Sequence, residues 1–195
     1  MTDPSGTEGF ITPALVRLDV SLGTDRTAVI RALAAQVADA GRTADGERLA
    51  QDALAREATS STGLPGGLAF PHCRTAAVDV PTVAFTRLSP PVDFGAKDGP
   101  ADLAFLIAAP AVGDPTHLEV LTQLARALVK RTFSDGLRSA RTPDEVVDLV
   151  TQVVRVRPSR TPKPASGAPR PADAGTSNDA VTPRVGAPRA TDPQD

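Results

Sequence analysis

The sequence predicts an α/β domain, helices packed against a sheet, followed by a tail that does not fold. Three observations carry this. Strand-like and helix-like segments alternate from Ile11 to Val156, the pattern expected when helices cover a sheet. Hydrophobic residues make up 41% of the 195 positions, enough for one real core. From Arg157 to Asp195 the composition shifts to Pro, Ala, Arg, Thr, Ser, Gly and Asp with almost no large apolar side chains. Such a segment cannot bury enough surface to offset its ordering entropy, and its prolines favour an extended spacer. The expected organisation is a flexible start at 1–10, a domain at 11–156 and a disordered linker or tail at 157–195.

Each element has a local reason. Ala14 to Val20 alternates as a strand. Thr24 or Asp25 caps a helix in which Val29, Ile30, Leu33 and Val37 form one apolar stripe, with Gly41 as its stop. A second helix follows from about Ala44 to Glu57. Three β-type stretches come next, Gly67 to Phe70, Thr82 to Leu88 and Leu103 to Ala108. Asp114-Pro115 supplies a capping residue and a proline at the first helical position, for a helix that buries Leu118, Leu121, Leu124, Leu128 and Val129. Thr142-Pro143-Asp144-Glu145 reads as a capping box before a last helix carried by Val146, Val147, Leu149, Val150 and Val153. No internal repeat is visible.

Composition removes several classes of function. The net charge is −2, tyrosine and tryptophan are absent, and the basic residues are spread without aromatic interleaving, which argues against nucleic-acid binding. No apolar run is long enough to span a bilayer, and MTDPSGTEGF lacks the layout of a signal peptide, so a cytoplasmic protein is expected. The single cysteine, Cys73, makes no internal disulfide, in keeping with a reducing compartment.

The run Ser61 to Thr75, STGLPGGLAFPHCRT, carries the most chemistry. It brings His72 out of a glycine-rich turn directly behind Pro71. Pro71 fixes its own φ and restricts its predecessor, and Gly63, Gly66 and Gly67 allow close backbone approach. That suits a ring nitrogen presented to solvent, and equally a packed structural histidine. His117 falls in the first turn predicted after Asp114-Pro115, where free N–H groups favour an anion; a solvated histidine covering the helix start is the alternative. Arg56 ends the second helix, so it either complements the dipole or holds phosphate oxygens as a guanidinium fork. Glu57 beside it either orients Arg56 or a ring nitrogen, or is simply solvated. Two histidines and one cysteine lack zinc-site spacing, so no metal is expected. The glycine turn lacks a P-loop's Gly-Lys-Ser/Thr ending, and Ser60, Ser61 and Thr62 lack a nucleophile elbow.

Taken in order, the residues carry a wider signature. It comprises Arg56-Glu57, Thr62-Gly63, Gly67-Leu68-Ala69-Phe70-Pro71-His72, Val92-Asp93-Phe94-Gly95 with Asp98-Gly99, Phe105-Leu106-Ile107-Ala108 with Pro110, and His117-Leu118 with Leu121. This closely resembles the fructose/mannitol-type (type 2) IIA domain of the bacterial phosphoenolpyruvate-dependent sugar phosphotransferase system, across essentially the whole folded part. The resemblance implies a mixed, mostly parallel sheet flanked by helices on both sides. It implies that His72 is phosphorylated by the phosphohistidine of the carrier protein HPr. The group then passes to a cysteine of a IIB domain, for uptake and phosphorylation of a sugar such as fructose. That IIB is made separately or tethered in one polypeptide with a membrane IIC domain. It places His117 and Arg56 in the active site, with Glu57, Thr62, Gly63 and Gly67 supporting the phosphate, and no cofactor. Cys73, where many members have glycine, and Leu64-Pro65-Gly66 depart from the family pattern. A regulatory module of the nitrogen-related IIA kind, signalling by phosphorylation-dependent partner binding, is the alternative expectation.

Overall fold

The computed structural model describes residues 9–112, 122–124, 126–127 and 130–154. The helix start expected at Asp114-Pro115, with His117, lies outside the described residues, as does the boundary expected after residue 156. Phe10 is the first residue of the core. Its side chain is buried and its carbonyl accepts the Val83 N–H at 2.7 Å, so it belongs to the core rather than to a flexible lead.

Pro13–Leu15 form a 3-10 turn instead of the first residues of a strand, because the fixed φ of Pro13 suits the opening of a helical turn. Strand β1 then runs Val16–Val20. Asp25, not Thr24, caps α1 (Arg26–Asp39), its carboxylate accepting the Ala28 N–H at 3.0 Å. The helix ends at Gly41, whose φ of 71° is the left-handed conformation that closes a helix at little cost to glycine. Asp45 caps α2 (Gly46–Thr59), which starts two residues after the position read from sequence and extends two beyond it. Strands β2 (Gly63–Leu64), β3 (Leu68–Ala69), β4 (His72–Thr75), β5 (Thr82–Val92) and β6 (Ala101–Pro110) follow. Helices α3 (Arg131–Ser139) and α4 (Pro143–Val153) close the fold. Thr142 caps α4 by accepting the Glu145 N–H at 3.2 Å, while Glu145 reaches back to the Arg141 N–H at 2.7 Å, one residue earlier than a strict capping box.

The sheet has the order β1-β5-β6-β3-β2, with β4 also paired to β6. The β1/β5, β3/β6 and β4/β6 pairs are parallel, and β5/β6 and β2/β3 are antiparallel. Helices lie on both faces, as two neighbours on β5 demonstrate. Thr86 donates its hydroxyl to Gln36 of α1, whereas Arg87, pointing the other way, reaches carbonyls at the end of α3. The core between these layers includes the tilted rings of Phe85 and Phe105, their centres 4.7 Å apart, with Phe70 5.9 Å from Phe105.

One register feature positions the site. Leu68 lies opposite Leu103 and His72 opposite Ile107, so β3 and β4 follow β6 as one strand broken at Phe70-Pro71. Pro71 has no N–H for the ladder, yet its carbonyl still accepts the Ile107 N–H at 3.0 Å. The strand is interrupted without losing register, and His72 is the first residue after the break.

Candidate active site

Within β4 the side chains alternate. Cys73 and Thr75 are buried, His72 is half-buried and Arg74 is exposed. Cys73 faces α2, where the Asp52 carboxylate adds to the effect of burial in pushing the thiol up to about 12. Burial is the larger cause, and it makes Cys73 a packed apolar group rather than a nucleophile. His72 and Arg74 therefore turn to the opposite side of the strand. Arg74, which the sequence reading does not single out, stands about 7 Å farther along that side at ordinary strand rise.

The imidazole of His72 is held by its own chain. Nδ1 lies 2.9 Å from the Phe70 carbonyl. A carbonyl only accepts, so Nδ1 carries the hydrogen in the neutral ring and Nε2 keeps its lone pair. The Phe70 carbonyl is itself placed by a ladder of contacts. Phe70 N–H donates to the Thr62 carbonyl at 3.1 Å, and Thr62 N–H donates to Oε1 of Glu57 at 3.1 Å. Glu57 is 6% exposed and sits in the last turn of α2. Arg26 of α1 approaches the same carboxylate oxygen at 3.9 Å. Glu57 is thus buried rather than solvated, and its Oε1 holds the Thr62 N–H of the segment that leads into β2.

The glycine-rich turn plays a different part from the one expected of it. The Gly63 N–H donates to the Phe94 carbonyl at 3.1 Å, the Gly66 N–H to Asp98 at 2.7 Å and the Thr62 N–H to Glu57. These amides are used inside the fold. Gly67 stands farther along the same turn. It lies beside Asp102 at the hairpin tip, five residues along the strand from His72, about 16 Å at the usual rise per residue. A side chain at Gly67 would have its Cβ 2.5 Å from Asp102 Oδ1 and 2.9 Å from the Arg138 guanidinium. Arg138 makes a two-pronged pair with Asp102, both contacts 2.7 Å, and donates to the Gly66 carbonyl at 2.5 Å, fixing the tip from α3. Close approach also explains Gly63, where a Cβ would sit 2.5 Å from the Phe94 oxygen.

The Val92-Asp93-Phe94-Gly95 stretch now has a physical role. The Phe94 carbonyl accepts from both the Gly63 N–H and the Ser61 hydroxyl, and Asp98 holds Gly66, so this loop fastens the hairpin. Arg56 is in the last turn of α2 with its guanidinium donating to the Ser60 carbonyl at 3.2 Å. Among the described residues, the Thr62 hydroxyl is buried without a hydrogen-bond partner, as is Oε2 of Glu57. His117 lies outside the described residues.

Other features do not compete for the chemistry. A polar cleft of about 450 Å3 lined by Gly41, Arg42, Thr43, Asp45, Arg48 and Asp79 contains none of the residues just described. Among the described residues, no group of three or more His, Cys, Asp or Glu is placed to hold a metal, and no helix is long and apolar enough to cross a membrane.

Residues 9–153 match the family described as "Phosphoenolpyruvate-dependent sugar phosphotransferase system, EIIA 2". The chain belongs to this family. It is 39% identical over 117 residues to the PTS system fructose-specific EIIA component of Haloferax volcanii, covering 60% of this chain and 76% of that protein. It is 35% identical over 147 residues to the Nitrogen regulatory protein of Pseudomonas aeruginosa, covering 75% of this chain and 95% of that one. Among solved structures, the nitrogen regulatory protein IIA-Ntr of Neisseria meningitidis superposes with a TM-score of 0.66 at 29% identity, over 72% of this chain and 95% of that one. IIA mannitol of Escherichia coli, solved in complex with phosphorylated IIB mannitol, gives 0.60 at 26% identity, over 73% of this chain and 97% of that one. The domain is thus a type-2 IIA domain with a mixed, mostly parallel sheet.

Proposed function

We propose that this domain is a phosphoryl carrier in which His72 Nε2 accepts the phosphoryl group of phosphorylated HPr and passes it to the cysteine of a IIB domain. One observation supports this above the others: Nδ1 is tied to the Phe70 carbonyl, which leaves Nε2 as the nitrogen with a lone pair. The P–Nε2 bond forms as the bond from phosphorus to the donor's ring nitrogen breaks, and the electron pair leaves with the donor. The phosphorylated His72 ring then carries positive charge while keeping its Nδ1–H. Its hydrogen bond to Phe70 becomes charge-assisted and stabilises the intermediate. Such transfer asks for positioning and electrostatic support more than covalent chemistry from the protein. Arg56, His117 and the Thr62 hydroxyl are the groups we assign to the phosphoryl oxygens, the first by rotating from Ser60. Glu57 supports the site indirectly.

Phosphoryl supply for fructose-type uptake is the favoured role, since a fructose-specific EIIA component is a relative and the IIA mannitol complex provides a precedent for the IIB partner. The nitrogen regulatory relatives motivate a second reading, in which the phosphorylation state of the same histidine governs binding to a regulatory partner. Incubation with phosphoenolpyruvate, the upstream kinase and HPr tests the shared step. The expectation is one acid-labile phosphoryl group per chain, absent in His72→Ala; stoichiometric labelling retained in that variant refutes it. Onward transfer to a fructose-type IIB domain separates the two roles, because the regulatory reading predicts none.

A further inference from the structure

Glu57 is costly where it stands. Its carboxylate is 6% exposed, Oε2 has no partner among the described residues, and Arg26 reaches Oε1 only at 3.9 Å from a half-exposed position. A buried, incompletely satisfied carboxylate detracts from stability compared with an apolar residue of its size. What Oε1 does hold is specific. It takes the Thr62 N–H at 3.1 Å; the Thr62 carbonyl takes the Phe70 N–H at 3.1 Å; the Phe70 carbonyl takes His72 Nδ1 at 2.9 Å. Three contacts in series run from the end of α2 to the imidazole, crossing the antiparallel pairing that continues from Gly63 and Ala69. Pro71 stiffens the last link, since its carbonyl is anchored to Ile107 and its φ is fixed.

We infer that Glu57 is a positioning residue for His72, fixing the Phe70 carbonyl and through it the tautomer and direction of the ring, so that Nε2 is unprotonated and aimed outward before any donor arrives. This rests on the phosphoryl-carrier reading for its consequence in rate, while the tautomer itself does not depend on that reading. Glu57 never touches the phosphoryl group. It acts on the three-residue path that holds the nucleophile, and the peptide units along it make the effect one of geometry. Charge is secondary: an uncharged oxygen acceptor at this position does the same work.

The test is long-range proton–nitrogen NMR of the His72 ring in the unphosphorylated protein, joined to the initial rate of phosphorylation by HPr. Wild type is expected as a single Nδ1–H tautomer. Glu57→Gln retains an oxygen acceptor and should keep that tautomer, with labelling within about threefold of wild type. Glu57→Met has the length without the acceptor and should give a mixture of tautomers and labelling slowed by about tenfold or more, the scale on which a misplaced reacting group loses rate. Glu57→Asp, one carbon short of Thr62, serves if the methionine variant does not fold, with the same mixture expected. A single Nδ1–H tautomer and wild-type labelling in the folded Met or Asp variant would overturn the inference. Wild type that shows the tautomer but accepts no phosphoryl group would instead sink the carrier reading and leave the positioning role standing.

Discussion

Replacing Arg87 by methionine should weaken the fold far more than removing its ion-pair partner. The Arg87 side chain is 13% exposed and that of Asp19 64%. Nε and one terminal nitrogen bind Asp19 at 2.7 and 2.6 Å, an attraction that also holds the Asp19 carboxyl below its usual range. Because Asp19 stands in solvent, that pair is screened and contributes little to stability. The other terminal nitrogen donates to the carbonyls of Leu137, Arg138 and Ala140 at 3.1, 2.7 and 2.8 Å. These are end carbonyls of α3, which lack helical partners and sit at the negative pole of the helix. One charged donor shared among them is worth about 1.5–3 kcal/mol, and the helix-end charge adds about 0.3–1. Arg87→Met, which keeps the apolar stem, should therefore cost about 2–4 kcal/mol, a large part of the roughly 5–15 kcal/mol typical of a domain. Urea unfolding with an unchanged m-value measures it, and Asp19→Asn, which tolerates the φ of 55° at that position, should barely move the midpoint. Equal losses in the two variants would refute the reasoning, by assigning the stability to the surface pair instead of the helix end.

Burial should keep Cys73 unreactive: at pH 8 the native protein resists iodoacetamide while the unfolded chain reacts readily, and fast native labelling would contradict the packing described. The same thiol makes stability depend on alkaline pH. Its contribution is fully present below its ordinary value of 9.0, and is lost as pH rises towards about 12; Cys73→Ala should flatten that decline in a series of urea titrations. Thr142→Ala removes the cap of α4 and should cost about 1 kcal/mol by the same method, with little effect on phosphorylation. Gly63→Ala forces a methyl against the backbone of Phe94 and Ala96; it should lower stability by about 1–3 kcal/mol, read from thermal melting, and slow labelling of His72 because β2 must shift.

The legible parts of the fold were those whose local chemistry agrees with the tertiary structure. Asp25, Gly41 and Thr142 mark helix ends with side chains or conformations that act within a few residues, so α1 and α4 could be read directly. Helix α3 could not: RTFSDGLRS contains Gly136 and buries only Phe133, Ser134 and Leu137, and it holds because Arg87 and α4 pack on it. Strand β4 was hidden for another reason. Its residues are polar on one side, and its ladder is interrupted by Pro71, so only the unbroken register with β6 identifies it. At the site, His72 and its proline were conspicuous in sequence. The roles of the glycines were not, since whether an amide faces a ligand or another loop depends on partners more than thirty residues away, Phe94 for Gly63 and Asp98 for Gly66. The same holds for Arg138 and Asp102, whose pairing spans 36 residues.

The central claim is chemical and local: one nitrogen of one ring carries the phosphoryl group. Phosphorus and nitrogen NMR of the chain phosphorylated by HPr tests it most directly. The account predicts a single phosphoramidate on Nε2 of His72, with Nδ1 still protonated and hydrogen-bonded to the Phe70 carbonyl. A phosphoryl group on Nδ1, on His117 or on no histidine at all would contradict it.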